Sequence, residues 1–427
     1  MSEQLRNWAG NITYHAARVN HPETVAQVQA LVRRGGKLRV LGSRHSFNTI
    51  ADTTGHLLTL DCLDPAPRFD HARRTITVGA GITYGHLGPL LHRHGYALHN
   101  LASLPHITVA GACATATHGS GDGNGNLATA VAAMEFVTAD GEIVTLSREQ
   151  HGDDFLGAVV ALGGLGVVTR LTLDLVPTFT VRQDVYERLP FTQMETHFDA
   201  IMASGYSVSL FTDWQHEWVD QVWVKRRVET GNGDAAMANA APEWFGATPA
   251  PAERHPLVGH PAVSCTLQMG VAGPWHERLP HFRTAFTPSS GEELQSEYFL
   301  PRAHAVTAFR ALHSLREALA PLLRVSEVRT VAADHLWMSP CDGRDCVALH
   351  FTWRPDWSGV REVLPQIEAA LVPLGATPHW GKLHTMPVAQ VQAGFPKLAA
   401  FRQLLRTYDP GGMFRNAFLD RYVYGME

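Results

Sequence analysis

Cysteine is scarce in this chain: five residues in 427, an odd number, with no CxxC pair. That sets aside a disulfide-stapled secreted scaffold and fits free thiols in a reducing cytoplasm. Charged residues make up 18% and the net charge is −5, so no basic excess is present to hold nucleic acid or an anionic membrane. The longest apolar run, from Leu156 to Val168, is too short for a membrane span and is broken by glycines. Met1-Ser2-Glu3-Gln4-Leu5 has neither the charged nor the apolar region of a signal peptide. Histidine is plentiful at 24, but no metal motif accompanies it. His92 and His94 sit on a helical stretch, where positions i and i+2 point apart. No appended interaction segment is evident. A cytoplasmic monomer without metal, nucleic acid or membrane partners is expected.

What is present is a globular composition, 45% hydrophobic, over a length that supports two domains. Residues 12–178 alternate helix and strand signals. Pro22 opens a helix carrying Val25, Val28, Leu31 and Val32, which Gly35-Gly36 ends. A strand follows over 37–41, another over 74–78, and Thr83 is placed to cap the next helix. Asp140-Gly141 between two alternating runs predicts a hairpin. Val167 to Leu173 alternates cleanly as a strand.

The most informative segment is Gly42-Ser43-Arg44-His45-Ser46-Phe47-Asn48, between the runs Leu38–Leu41 and Leu57–Leu60. Gly and Ser beside a strand end leave backbone N–H groups free to face an anion, and a histidine there is within reach of a bound ligand. A polar connection whose histidine merely caps the turn is the alternative. From Val109 to Gly121 nearly every side chain is small, which lets backbone approach a ligand closely. A glycine-rich surface loop is the bland reading of that run. Gly119 to Gly125 also looks like a dinucleotide motif, but no strand precedes it.

Beyond residue 178 the pattern shifts to longer strands and helices with more Trp and Pro. Ala235 to His255, rich in Ala and Pro, reads as a long surface excursion. Glu327 and Arg329 share one face of a strand, as do His350 and Thr352. Such pairs either point to solvent or line a pocket needing donors and acceptors together. Lys382, after Pro378-His379-Trp380-Gly381, reads from local pattern as a solvated lysine.

Several segments together carry a family resemblance. They are Asn7-Trp8-Ala9-Gly10-Asn11, GSRHSFN (42–48), NLASLPHITVAG (100–111), ATHGSG (116–121), SLFTDW (209–214), GPWHERLPHFR (273–283), ELQSEY (293–298), VRTVAAD (328–334), HFTW (350–353), PHWGK (378–382) and NAF (416–418). On these the chain resembles the vanillyl-alcohol-oxidase-type FAD enzymes and, within them, the bacterial alditol oxidases. The resemblance implies an α+β, two-domain flavoprotein: an FAD-binding domain over 1–178, a substrate-binding cap domain over 179–377, and a C-terminal segment, 378–427, returning to the FAD domain. It implies FAD bonded covalently to His45. Many members carry glycine where this chain has Arg44. Some add a second flavin bond through cysteine, but Cys113 does not match that position and reads as a small buried residue. FAD contacts are implied at Val40, Leu41, Gly42, Ser43, Arg44, Ser46, Ser103, Thr108, Gly111, Thr115, Ala116, Thr117, His118, Val167 and Asn416.

The implied chemistry is oxidation of a terminal primary alcohol of xylitol, sorbitol or a smaller polyol, with oxygen reduced to hydrogen peroxide. Lys382 is implied beside the flavin as the proton acceptor. Arg329 would lower its pKa and Glu327 would oppose that. Ser103, Gln295, Glu327, Arg329, His350 and Thr352 would position the polyol. Ala102 is placed where a side chain controls oxygen access. A sugar-lactone oxidase or dehydrogenase is the nearest alternative. A non-catalytic flavin- or sugar-binding protein and a metal-dependent enzyme are alternatives of other classes.

Overall fold

The computed structural model describes residues 5–63, 66–228, 244–286 and 293–426. Its N-terminal part carries two sheets. β1 (Arg18–Asn20), β2 (Leu38–Leu41) and β3 (His56–Thr59) form a three-stranded parallel sheet in the order β1-β3-β2. Helix α1 (Val25–Arg33) crosses between β1 and β2 and buries Val28 and Val32. It begins three residues after Pro22, because the Thr24 side chain caps it by accepting from the Gln27 N–H at 3.2 Å.

The second N-terminal sheet contains β4 (Arg68–Asp70) and β5 (Thr75–Gly79). After α2 (Tyr84–Arg93), β6 (Tyr96–Ala97) and α3 (Val109–Ala114), it gains β7 (Val131–Val137), β8 (Ile143–Ser147) and β9 (Val167–Asp174), in the order β4-β5-β9-β7-β8. The turn between β7 and β8 is the predicted Asp140-Gly141 hairpin, with Gly141 at φ +83°. β6 pairs with β10 (Val176–Pro177). The run of small residues is therefore a short helix, α3, followed by a close-packed turn. A Cβ on Gly119 would lie 2.4 Å from the Leu101 carbonyl and one on Gly121 2.3 Å from the Tyr206 carbonyl, so these two glycines serve backbone packing.

The rest of the chain builds a nine-stranded sheet. Its strands are β11 (Thr180–Pro190), β12 (Ser207–Thr212), β13 (Trp218–Val228), β14 (Thr248–Pro249), β15 (Gly273–Pro274), β16 (Leu294–Pro301), β17 (Leu323–Val331), β18 (Cys346–Trp353) and β19 (Thr377–Pro378). The order is β14-β11-β13-β12-β17-β18-β16-β19, with β15 also on β11. Of the excursion expected over 235–255, residues 235–243 lie outside the described residues. The remainder is surface chain pinned at three buried residues, with Gly246, Thr248, Pro251 and Ala252 exposed between and after them. Trp244 and Ala250 are buried, Trp244 stacks on Tyr186, and β14 pairs with β11. Burying the large Trp244 ring against Tyr186 is what holds this stretch to the sheet.

The C-terminal residues return to β2. Leu38 donates its N–H to the Met413 carbonyl, and the buried Arg39 guanidinium donates to the carbonyls of Gly163 and Phe414 at 2.7 and 2.8 Å. Among the described residues, no helix is long and apolar enough to cross a membrane.

Candidate active site

The turn after β2 is held from two sides. From the N-terminal segment, Asn7 and Asn11 donate their side-chain amides to the carbonyls of Ser46 and Phe47, at 2.9 and 2.8 Å. From the C-terminal side, Phe47 donates its N–H to Gly381, and Asn48 donates to the carbonyls of Trp380 and Lys382. These bonds bring His45 and Lys382, far apart in sequence, to one cavity.

Trp8 stacks on the His45 ring at 5.1 Å and 19°. His45 Nδ1 lies 2.9 Å from the Ser43 carbonyl. Burial lowers this imidazole to about 4; the Ser43 carbonyl opposes the fall, and Lys382, His106 and Arg44 add to it. The ring is thus uncharged at neutral pH. Arg44 stands at φ +64°, a left-handed position where glycine carries no steric cost. Gly42 and Gly111 flank Thr108: a Cβ on either would come within 2.6 or 2.7 Å of the Thr108 hydroxyl. That hydroxyl is buried and has no protein partner.

Facing the turn is a polar wall on adjacent strands. Glu297 on β16 and Glu327 on β17 both lie opposite His350 on β18, so the period-two alternation puts their side chains on one face. Glu297 accepts from Arg329 Nη2 at 2.6 Å and from His118 Nε2 at 3.1 Å. Glu327 accepts from His281 Nε2 at 2.7 Å. Burial pushes both carboxyls upward, but Arg329 and the adjacent histidines overcome it and hold them well below the ordinary range. For Arg329, burial is likewise outweighed, by Glu327 and Glu297, and its pKa is raised. Burial lowers His350, with Glu297 opposing.

Lys382 is enclosed among these groups. Its Nζ donates to Gln295 Oε1 and sits 4.7 Å from the Phe47 ring centre. Burial lowers its pKa to about 8; Glu297 opposes, Arg329 adds to the fall, and Glu293 and Glu327 oppose. A lysine poised there exchanges protons near neutral pH.

Every residue predicted for the site lines this one cavity except Ala116, Val167 and Asn416. Ala116, at φ +54°, is buried in the hydrophobic core between Thr115 and Thr117, which do line the cavity. Val167 opens β9 and packs with Val28, Val32 and Leu38. Asn416 caps the helix Ala417–Tyr422 and donates to the carbonyls of Thr49, Ile50 and Asp52. Ala102 lines the cavity. Cys113 is buried, and burial raises its thiol to about 12. Sequence reasoning missed Glu297, although it shares a face with Gln295 two residues earlier. It also missed His379, His281 and His255, which line the cavity from loops and carry no local pattern. Two small histidine-acid groupings, His21/Asp61/Cys62 and Asp213/His216/Asp220, lie away from the cavity.

Comparison with known proteins places these features in a family context. A model of the FAD binding domain matches residues 16–147, and one described as D-arabinono-1,4-lactone oxidase matches residues 290–422. The chain is 49% identical over 422 residues to an alditol oxidase of a Streptomyces species, covering 98% of this chain and 99% of that protein. It is 28% identical over 448 residues to an L-gulono-1,4-lactone dehydrogenase of Mycobacterium tuberculosis, covering 99% and 100%. Among solved structures, a cholesterol oxidase from B. sterolicum superposes with a TM-score of 0.78 at 15% identity, covering 98% of this chain and 96% of that one, a likeness of fold.

Proposed function

The chain belongs to the alditol oxidase family of FAD-dependent oxidoreductases, and on that premise we propose that it oxidises the terminal primary alcohol of a polyol such as xylitol, sorbitol or glycerol to the aldose. The observation that carries the reading is a single cavity joining the uncharged His45, the buried Lys382 and the Glu297–Arg329–Glu327–His350 wall.

The residues fit FAD. The Thr108 hydroxyl is buried without a partner between two glycines that keep the backbone open, a cradle suited to an acceptor-rich group. In this reading residues 1–178 and 378–427 hold the cofactor, His45 carries it covalently, and residues 179–377 hold the polyol. What FAD supplies when bound is a hydride acceptor that oxygen reoxidises, with hydrogen peroxide as product.

The protein's part is proton transfer and alignment. Lys382 as the free amine takes the proton of the reacting hydroxyl, and its contact with Gln295 fixes the nitrogen. Glu327 is an anion and accepts a substrate hydroxyl; Arg329 donates. Ser103, His350 and Thr352 add a hydroxyl, an imidazole and a second hydroxyl around the chain of the polyol. Alternating donors and acceptors suit a molecule with a hydroxyl on every carbon. The five unpaired thiols support a reducing compartment. We carry a monomer forward, to be checked by light scattering.

The match of residues 290–422 to the lactone-oxidase model favours a second reading, oxidation of a sugar 1,4-lactone. One experiment separates them. The purified protein is acid-precipitated and, in parallel, the native sample is mixed anaerobically with xylitol and then with gulonolactone. A yellow pellet and bleaching by xylitol are expected. Bleaching by the lactone alone selects the second reading, and a colourless pellet from a flavin-loaded preparation refutes the covalent link to His45.

A further inference from the structure

Behind Glu327 lies a layer of buried polar groups that the proposed chemistry leaves unused. Lys225, on β13, is 1% exposed, and His281 is 5% exposed. Lys225 Nζ donates to the carbonyls of Leu279 and Pro280 and to His281 Nδ1, the last at 3.1 Å. His281 Nε2 in turn lies 2.7 Å from Glu327 Oε1. Phe211 and Trp223 meet the His281 ring edge-on at 5.5 and 5.2 Å and close the layer.

The hydrogens of this chain run in one direction. An ammonium has three hydrogens and no lone pair, and three acceptors face Lys225. The His281 nitrogen beside it must therefore accept. The ring then carries its one proton on Nε2 and donates it to Glu327. With the opposite tautomer, a lone pair would face a carboxylate, and the carboxylate would turn away or take up a proton. Among the described residues, Glu327 Oε2 receives no hydrogen bond, and Glu327 lines the cavity.

We propose that Lys225 and His281 are positioning residues for polyol oxidation: the ammonium selects the tautomer of His281, and His281 holds Glu327 as an anion with its second oxygen presented to the substrate hydroxyls. The inference rests on the alditol oxidase reading. The charged and titratable groups around Lys225 are His281, Glu327, Arg329 and Cys265. Burial lowers Lys225 to about 7, opposed by Glu327 and Cys265, with Arg329 adding to the fall. Burial lowers His281 to about 4, with Lys225 adding and Glu327 opposing. At pH 6 the lysine is charged and the imidazole neutral.

The test uses the flavin-loaded enzyme at pH 6, labelled with nitrogen-15 in its histidine rings. The His281 signals are assigned by their loss in His281→Gln. The Nε2–H tautomer is expected in the unchanged protein, and Lys225→Met should weaken the preference for it, because only Glu327 then acts on the ring. In steady-state assays, Lys225→Met should raise the KM for xylitol about ten- to hundredfold with a smaller change in kcat, the signature of a weakened charge-assisted contact made in the ground state. His281→Gln keeps an amide donor toward Glu327 and should avoid most of the rise in KM that His281→Phe causes. That split keeps the proposal testable if Lys225→Met does not fold. An Nδ1–H tautomer in the unchanged protein, or equal KM values for the Gln and Phe variants, overturns it. An unchanged protein that oxidises no polyol would instead sink the alditol reading, with the tautomer measurement still deciding the hydrogen-bond direction.

Discussion

Lys382→Met removes the proposed base while keeping most of the side chain's bulk. Burial lowers the lysine to about 8 from an ordinary 10.5. At pH 7 that makes the free-amine fraction ~0.1 in place of ~0.0003, a gain of about 300-fold in base ready to act. Loss of a positioned general base costs ~10²–10⁴ in rate. The assay is anaerobic stopped-flow reduction of the flavin by xylitol between pH 6 and 9.5. In the unchanged protein kcat/KM should climb through a limb centred near pH 8, because the active form is the deprotonated one. In the variant the limb should vanish and the rate at pH 8 should fall by ~10²–10⁴, with flavin content unchanged. A variant that reduces its flavin at the original rate, or keeps the limb, refutes the role assigned to Lys382.

Glu293 raises the pKa of Lys382, so Glu293→Gln should move the same limb to lower pH; a limb that stays or moves up contradicts the electrostatic account. His45→Ala should leave a colourless acid pellet while the native protein still binds FAD, read from the visible spectrum before and after precipitation. Gly42→Ala puts a Cβ 2.6 Å from the Thr108 hydroxyl, and the flavin-to-protein ratio should drop, with a stability loss of ~1–3 kcal/mol in thermal melts. Arg39→Met strands the buried carbonyls of Leu162 and Phe414 and the half-buried one of Gly163, while Ile50 keeps its bond from Asn416, and should cost ~3 kcal/mol by denaturant titration.

Much of the site was readable along the chain, for reasons particular to each residue. The His45 turn stood out because glycine and serine beside an apolar strand mark an open backbone. Glu327 with Arg329 and His350 with Thr352 followed from the two-residue period of strands. That same rule, applied to Gln295, would have added Glu297. The start of α1 was misplaced because a side-chain cap at Thr24 outweighs the preference of Pro22 for a first turn. A window of Ala and Pro reads as surface and does not reveal that Trp244 finds Tyr186 to stack on and so pins residues 244–250 to the sheet.

Local chemistry therefore settled which segments are strands, turns and close-packed glycine runs, since those depend on dihedral preference and on alternation over a few residues. It also named most of the groups around the cavity. Which way each polar strand face looks was outside its reach, because a strand alternates identically toward solvent or toward a core. The same limit held for protonation. Lys382 reads as an ordinary surface lysine until the fold removes water from around it and sets Glu297 and Arg329 beside it. Lys225, His281 and Glu327 meet across 56 and 46 residues of sequence. Their hydrogen-bond direction exists only once the sheet has closed around them, because desolvation and charge act through space and not along the chain.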